Sequence, residues 1–196
     1  MNITKQKLSE IADIKLGKAF KVAIEDKGKS GNAYLIKVGD LCENLKTDSL
    51  TQITVTDNDK KFFLKKGDIL LRLRGPIFTA YIFDKEISET VIVNNQIAII
   101  SANNNLIEAY YLLWLLNSNK YRKYFYTRIE GSNIEKLSQH NLEEMTLEIL
   151  PIQKQRKIAH LQEKWISQKN NYKEKIELGD QYYNELCKRF QNNFLN

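Results

Sequence analysis

Two cysteines, two histidines and two prolines are all that 196 residues contain. Cys42 and Cys187 supply neither a disulfide framework nor a CxxC pair, and His140 and His160 form no HExxH, which argues against a structural metal site. The longest apolar run is residues 109–116, far short of the ~20 residues that span a bilayer. The chain opens Met1-Asn2-Ile3-Thr4-Lys5-Gln6-Lys7, polar and without the apolar core of a secretory leader, so the cytoplasm is the expected compartment. No GxSxG elbow, P-loop or GxGxxG occurs. Pro76 and Pro151 stand alone, so the Asn/Asp-Pro-Pro-aromatic motif of an adenine methyltransferase cannot be present. The one Glu-x-Lys of the kind a metal nuclease uses, Glu25-Asp26-Lys27, falls in a loop. His140 and His160 read as surface side chains. No catalytic residue and no bound metal is expected.

Hydrophobic residues make up 42% of the chain, enough for a core, and charged residues 28%. The net charge of +6 is unevenly shared, with +2 over residues 1–150 and +4 over 151–196. Such an excess is compatible with an acidic partner such as nucleic acid.

The pattern of residues divides the chain in two. Leu8, Ile11 and Ile14 share a helical face, with Ser9 as a cap and Gly17 as a stop, so a short helix is expected there. Residues 18–31 are polar and glycine-bearing, a loop. Strand-like runs follow at 34–38, 52–56, 69–74, 77–83 and 91–100, separated by turns such as Gly39-Asp40, Asp57-Asn58-Asp59 and Gly67-Asp68. This predicts an α+β domain over residues 1–150 with a mixed, mostly antiparallel sheet. Leu106, Tyr110, Leu113 and Trp114 then give an apolar face on a helix over 107–126, and Leu147-Glu148-Ile149-Leu150 before Pro151 is extended.

Beyond Pro151 no proline or turn cluster appears. Ile158, Leu161, Trp165, Tyr172, Ile176, Tyr183, Leu186 and Phe190 recur at steps of three and four, with Gln168 and Gly179 filling the register. The spacing predicts one coiled-coil helix over 151–196. Its stripe cannot be buried on itself and calls for a partner helix.

Residues suited to nucleic acid gather in the first part. Arg72 and Arg74 alternate with Leu71 and Leu73, which puts both guanidinia on one strand face, a fork for phosphate or for guanine. Asn94 and Asn95 carry amides that suit adenine edges. Lys120, Arg122, Lys123 and Arg128 interleave with Tyr121, Tyr124 and Tyr126 at a helix end, a mixture that fits a phosphate backbone.

Several segments in order resemble the DNA-specificity (S) subunits of type I restriction–modification systems. They are Leu8-x-Glu10-Ile11-Ala12-x-Ile14-x-x-Gly17-Lys18, Tyr34-Leu35-Ile36-Lys37-Val38-Gly39-Asp40-Leu41, Leu64-Lys65-Lys66-Gly67-Asp68-Ile69-Leu70, Asn95-Gln96-Ile97-Ala98, Tyr110-Tyr111-Leu112-Leu113-Trp114-Leu115-Leu116, and Gly131-Ser132 with Leu142. Ile149-Leu150-Pro151-Ile152-x-x-Gln155-x-x-Ile158-Ala159 is similar to the family's junction into its spacer helix, although a second proline and a glutamate usual there are missing. Typical S subunits have two recognition domains and two spacer helices, so this chain resembles a half-subunit. The resemblance implies a non-catalytic reader of double-stranded DNA that pairs, as a homodimer, through its helix on a two-part site. Its partners would be adenine-N6 methyltransferase (M) subunits using S-adenosylmethionine and a restriction (R) subunit driven by ATP and magnesium, with no cofactor on this chain. A regulator or decoy that has kept the fold without the binding is the alternative. Candidate DNA contacts are Lys18, Lys21, Lys37, Arg72, Arg74, Asn94, Asn95, Arg128, Ser132 and Asn133.

Overall fold

A computed structural model describes residues 3–42, 45, 49–84, 89–129 and 136–194. The first turns depart from the expected helix at 8–14. Thr4–Lys7 is strand β1, Leu8–Ile11 a single turn α1, and Ala12–Leu16 strand β2. Leu8, Ile11 and Ile14 are all buried as their spacing requires, but Ile14 reaches the core from a strand. The helix ends after one turn because β2 is claimed by a sheet partner, Ala12 opposite Ala102 through Leu16 opposite Ala98. Ser9 is not the cap. Lys7 is, and its N–H donates to the Glu10 carboxylate at 2.8 Å.

Strands β3 (Ala33–Ile36), β4 (Thr51–Ile53), β5 (Ile69–Arg72), β6 (Ala80–Ile82), β7 (Thr90–Val93), β8 (Ile97–Ala102) and β9 (Thr146–Ile149) complete three small sheets. One runs β2-β8-β5-β6, all antiparallel; one runs β4-β3-β7, in which β3 and β7 are parallel; β1 pairs with β9. The run at 91–100 is two strands, not one, parted by the turn at Asn94–Gln96.

A recurring device fixes the turns. Asp40, Asp59 and Asp68 each accept the backbone N–H of the residue three earlier, Lys37, Thr56 and Lys65, at 2.8, 2.9 and 2.7 Å. Two of these are the Gly-Asp turns seen in the sequence. At Gly67 the chain takes φ +92°, a conformation that favours glycine.

The single helix expected over 107–126 is two, α2 (Ala109–Leu116) and α3 (Asn119–Thr127). Asn117 stands at the break, its amide accepting from Ala80 N–H at 3.0 Å and donating to Ala80 C=O at 2.9 Å, so a strand edge interrupts the helix. Its buried face also differs from the expected one. Tyr111, Leu112, Leu113, Leu115 and Leu116 are buried between the sheet and the last helix, while Trp114 is 40% exposed. A short helix, α4 (Gln139–Glu143), precedes β9.

Helix α5 spans Ile152–Phe194 without interruption at Gly179, 43 residues or roughly 65 Å. Its root is held by Gln155, only 2% exposed. The Gln155 amide oxygen accepts from Glu108 N–H at 3.1 Å, and its nitrogen donates to the carbonyls of Leu150 at 2.8 Å and Leu106 at 3.4 Å. Tyr111 and Tyr121 hold the strand leading into it, their hydroxyls accepting from the N–H groups of Leu150 and Glu148 at 3.2 and 2.7 Å. Replacing Gln155 with leucine strands buried amide and carbonyl groups, and the expected loss of stability is about 2–4 kcal/mol. Denaturant unfolding checks this, as a lower midpoint at unchanged slope.

Candidate nucleic-acid interface

Strands β2 and β5 both run antiparallel to β8, so they run parallel to each other, and β3 runs parallel to β7. A parallel bridge between Lys18 and Asn94 joins the two sets. The carboxyl ends of four strands therefore meet along one edge. Lys18 follows β2, Lys37 follows β3, Arg72 ends β5 with Arg74 beyond it, and Asn94 and Asn95 follow β7. Residues separated by up to 77 positions in sequence are brought to one border.

Backbone hydrogen bonds lock this border. Lys18 N–H donates to Val93 C=O at 2.8 Å, Asn95 N–H to Lys18 C=O at 3.0 Å, and Asn94 N–H to Ile36 C=O at 3.2 Å. Leu73 N–H donates to Gln96 C=O at 2.9 Å, and Leu73 C=O accepts from Leu137 N–H at 2.9 Å. Gly17 is required by the close approach, since a Cβ there would lie 2.2 Å from Asn94 O and 2.5 Å from Val93 O.

The candidate side chains differ in what they have free. The Lys18 ammonium pairs with the buried Asp59 carboxylate at 2.7 Å and lies 5.5 Å from the Phe20 ring centroid. That ammonium, with the Thr56 N–H, holds the Asp59 carboxyl below the usual carboxylate range. Lys18 thus ties the edge to the 57–62 turn. Lys21 is exposed on the segment after Phe20, and Lys37 is half-buried.

Arg72 and Arg74 are half-buried, and Leu71 and Leu73 fill the main core, as the alternation requires. The arginine face is not a bare sheet surface, because Leu70 on the same side belongs to a second core cluster with Ile97 and Ile99. The guanidinium of Arg72 lies over Gly75, whose φ is +103°; a Cβ there would sit 3.6 Å from Nε. That Nε is shielded from solvent and has no hydrogen-bond partner among the described residues. Arg74 forms an antiparallel bridge with Lys136.

The basic, aromatic helix end is partly structural. Lys120 pairs with Glu148 at 2.6 Å and Tyr121 is buried. Tyr126 donates its hydroxyl to Pro76 C=O at 2.9 Å, beside the Arg74 loop, and Arg128 is exposed over the Tyr124 ring at 5.4 Å. Ser132 and Asn133 lie outside the described residues, as does Gly131. Tyr111, Tyr121 and Gln155 are the positions whose roles sequence reasoning missed; a tyrosine in an apolar run reads as core until its hydroxyl partner is known.

On α5, Ile158 and Ile166 pack against the domain core and Ala159 is buried with Gln155, so one face of the root is already used. The expected stripe is otherwise unburied. Leu161, Trp165, Tyr172, Ile176, Tyr183 and Phe190 are each more than half exposed, and Leu186 is half-buried.

A model of the type I restriction modification DNA specificity domain matches residues 2–178. The chain belongs to that family. Three solved structures share its fold at 15–16% identity: one described by complex assembly and conformational transition of the type I R-M system, the S subunit from M. genitalium, and the HsdS subunit from Thermoanaerobacter tengcongensis. Their TM-scores are 0.63, 0.62 and 0.60, over 88%, 90% and 85% of this chain. The chain spans only 40%, 42% and 38% of their lengths. Comparison with curated protein sequences gave no match. No helix among the described residues is long and apolar enough to cross a membrane.

Gly17→Ala forces a methyl into backbone that cannot yield locally. The expected cost is about 1–3 kcal/mol, read as a lower melting temperature, with faster hydrogen exchange at the Lys18 and Asn95 amides as the sign that the edge itself has opened.

Proposed function

We propose that the chain is the specificity half of a type I restriction–modification complex, a non-catalytic reader of double-stranded DNA in the cytoplasm. Two copies pair through α5 to make one full reader, each presenting one edge to half of a bipartite site. The unburied stripe on α5 carries this reading. A helix of roughly 65 Å with apolar side chains along its free face marks that face as a contact surface for another helix, and these residues span about 40% of the length of the structural relatives. With two identical copies, two-fold symmetry gives half-sites that are inverted repeats. The helix pair then sets the distance between them.

The residues have distinct tasks under this reading. Lys21, Lys37 and Arg128 contact phosphate, while Arg74, Asn94 and Asn95 read base edges with Arg72 supporting the loop after β5. Lys18 holds the edge in place through Asp59. The adenine-N6 methyltransferase subunits supply the chemistry and the S-adenosylmethionine, and a restriction subunit brings ATP and magnesium where cleavage occurs.

Sedimentation tests the pairing. The wild-type chain is expected to run as a dimer at low micromolar concentration, and Ile176→Asp with Tyr183→Asp as a monomer with its domain still folded. A well-folded wild-type monomer at high micromolar concentration contradicts it. Arg74→Ala is expected to cost about 1–3 kcal/mol of binding at one base position of the site, measured with duplexes substituted singly; a uniform loss across sequences would make Arg74 a phosphate contact.

A further inference from the structure

A cleft of about 450 Å³ lies on the face of the β2-β8 pair away from the main core, running from Lys15 toward the amino ends of β2 and β5. Five lysines from three segments line it: Lys15 of β2, Lys60 and Lys61 of the 57–62 turn, and Lys65 and Lys66 before β5. Two carboxylates share the lining and both are engaged. Asp13 pairs with Lys15, and the buried Asp68 accepts from the Ser101 hydroxyl at 2.6 Å and from Lys65 N–H at 2.7 Å. Lys60 pairs at the rim with Asp57 at 2.9 Å. Lys61 lies 5.1 Å from the Phe62 ring centroid and, like Lys65, is exposed. Lys61 and Lys65 add positive charge to a lining already rich in lysine, and an anionic ligand offsets that charge.

We infer that this cleft is a clamp for the phosphate backbone of duplex DNA flanking the bases that are read. The inference rests on the DNA-reading function proposed above. Three observations select this ligand over other polyanions. Among the described residues its lining has lysine but no arginine, so it offers point charges to phosphate and no fork for a base edge. Phe63, the one aromatic residue of the lining among the described residues, packs toward the third core cluster and so is not turned out as a platform for stacking a base. The cleft is also coupled to the reading edge through one turn, since Asp59, next to Lys60, holds Lys18. A duplex that docks on the edge and runs back over this face meets these cations, adding affinity that does not depend on sequence.

The test uses the full chain with Lys61→Gln and Lys65→Gln together, titrated with a 40-base-pair duplex over a series of salt concentrations. A second double variant, Lys5→Gln with Lys157→Gln, removes the same charge outside the lining. The clamp predicts that the cleft variant lowers the slope of log K against log salt by about two, near 0.9 for each phosphate no longer neutralised. Its order of preference among target sequences stays unchanged, and the control keeps the wild-type slope. Equal slopes in the cleft variant and wild type overturn the clamp while leaving the reading edge in place. Saturable binding of inorganic phosphate that disappears in the cleft variant, with an unchanged DNA slope, assigns the cleft to a free anion and also overturns it. A wild-type chain with no affinity for any duplex removes the DNA reading and the clamp together.

Discussion

One buried glutamine connects the two parts of this molecule. Gln155 sits on the first turn of the long helix, and its side chain is bonded to three backbone groups of the domain. Such an amide satisfies groups that would otherwise be stranded away from water, and its bond directions are fixed. The helix therefore leaves the domain at one angle. Arg156 adds a second attachment to Glu108 at 3.1 Å, and Ile158, Ala159 and Ile166 seal the root with apolar packing. Under the proposed pairing, a freely hinged helix could still meet a copy, but it could not hold the two edges at a set separation.

The edge proposed to read DNA follows the same principle of positions fixed by backbone. Four strand ends converge because the topology makes β2, β3, β5 and β7 run the same way, and the border is stitched by main-chain bonds before any side chain is considered. The side chains then divide. Lys18 and Asp59 form a shielded pair that holds the edge, whereas Lys21 and Arg128 stand in solvent. Depression of the Asp59 carboxyl gives this pair a defined pH range. Its contribution is complete above the ordinary aspartate range and is lost as pH falls through the lowered folded value.

How much of this the sequence disclosed depends on whether the cause is local or distant. Helix α5 was legible because its three-and-four periodicity persists over ten apolar or register positions with no breaker. The Gly-Asp turns were legible because aspartate acts on a backbone N–H three residues away. The split between α2 and α3 was not, since Asn117 breaks the helix by pairing with Ala80 on a strand far along the chain. Nor was the burial of α2 on nearly every side, which follows from a helix caught between sheet and α5 and leaves Trp114 outward. At the candidate site the residue types were legible but their convergence was not. Lys18 shows why, since a lysine expected to contact DNA proves to be held by an aspartate 41 positions later.

Two paired copies that read a two-part site would direct methylation to that site and to no other. Mapping N6-methyladenine across the host DNA, after co-expression with the methyltransferase subunit, makes this visible. The expected outcome is methylation confined to a bipartite motif whose halves are inverted repeats separated by a fixed spacer. An assembled complex with cofactor present that methylates no such motif would contradict the paired reader, and would favour a regulator or decoy that has kept the fold without the reading.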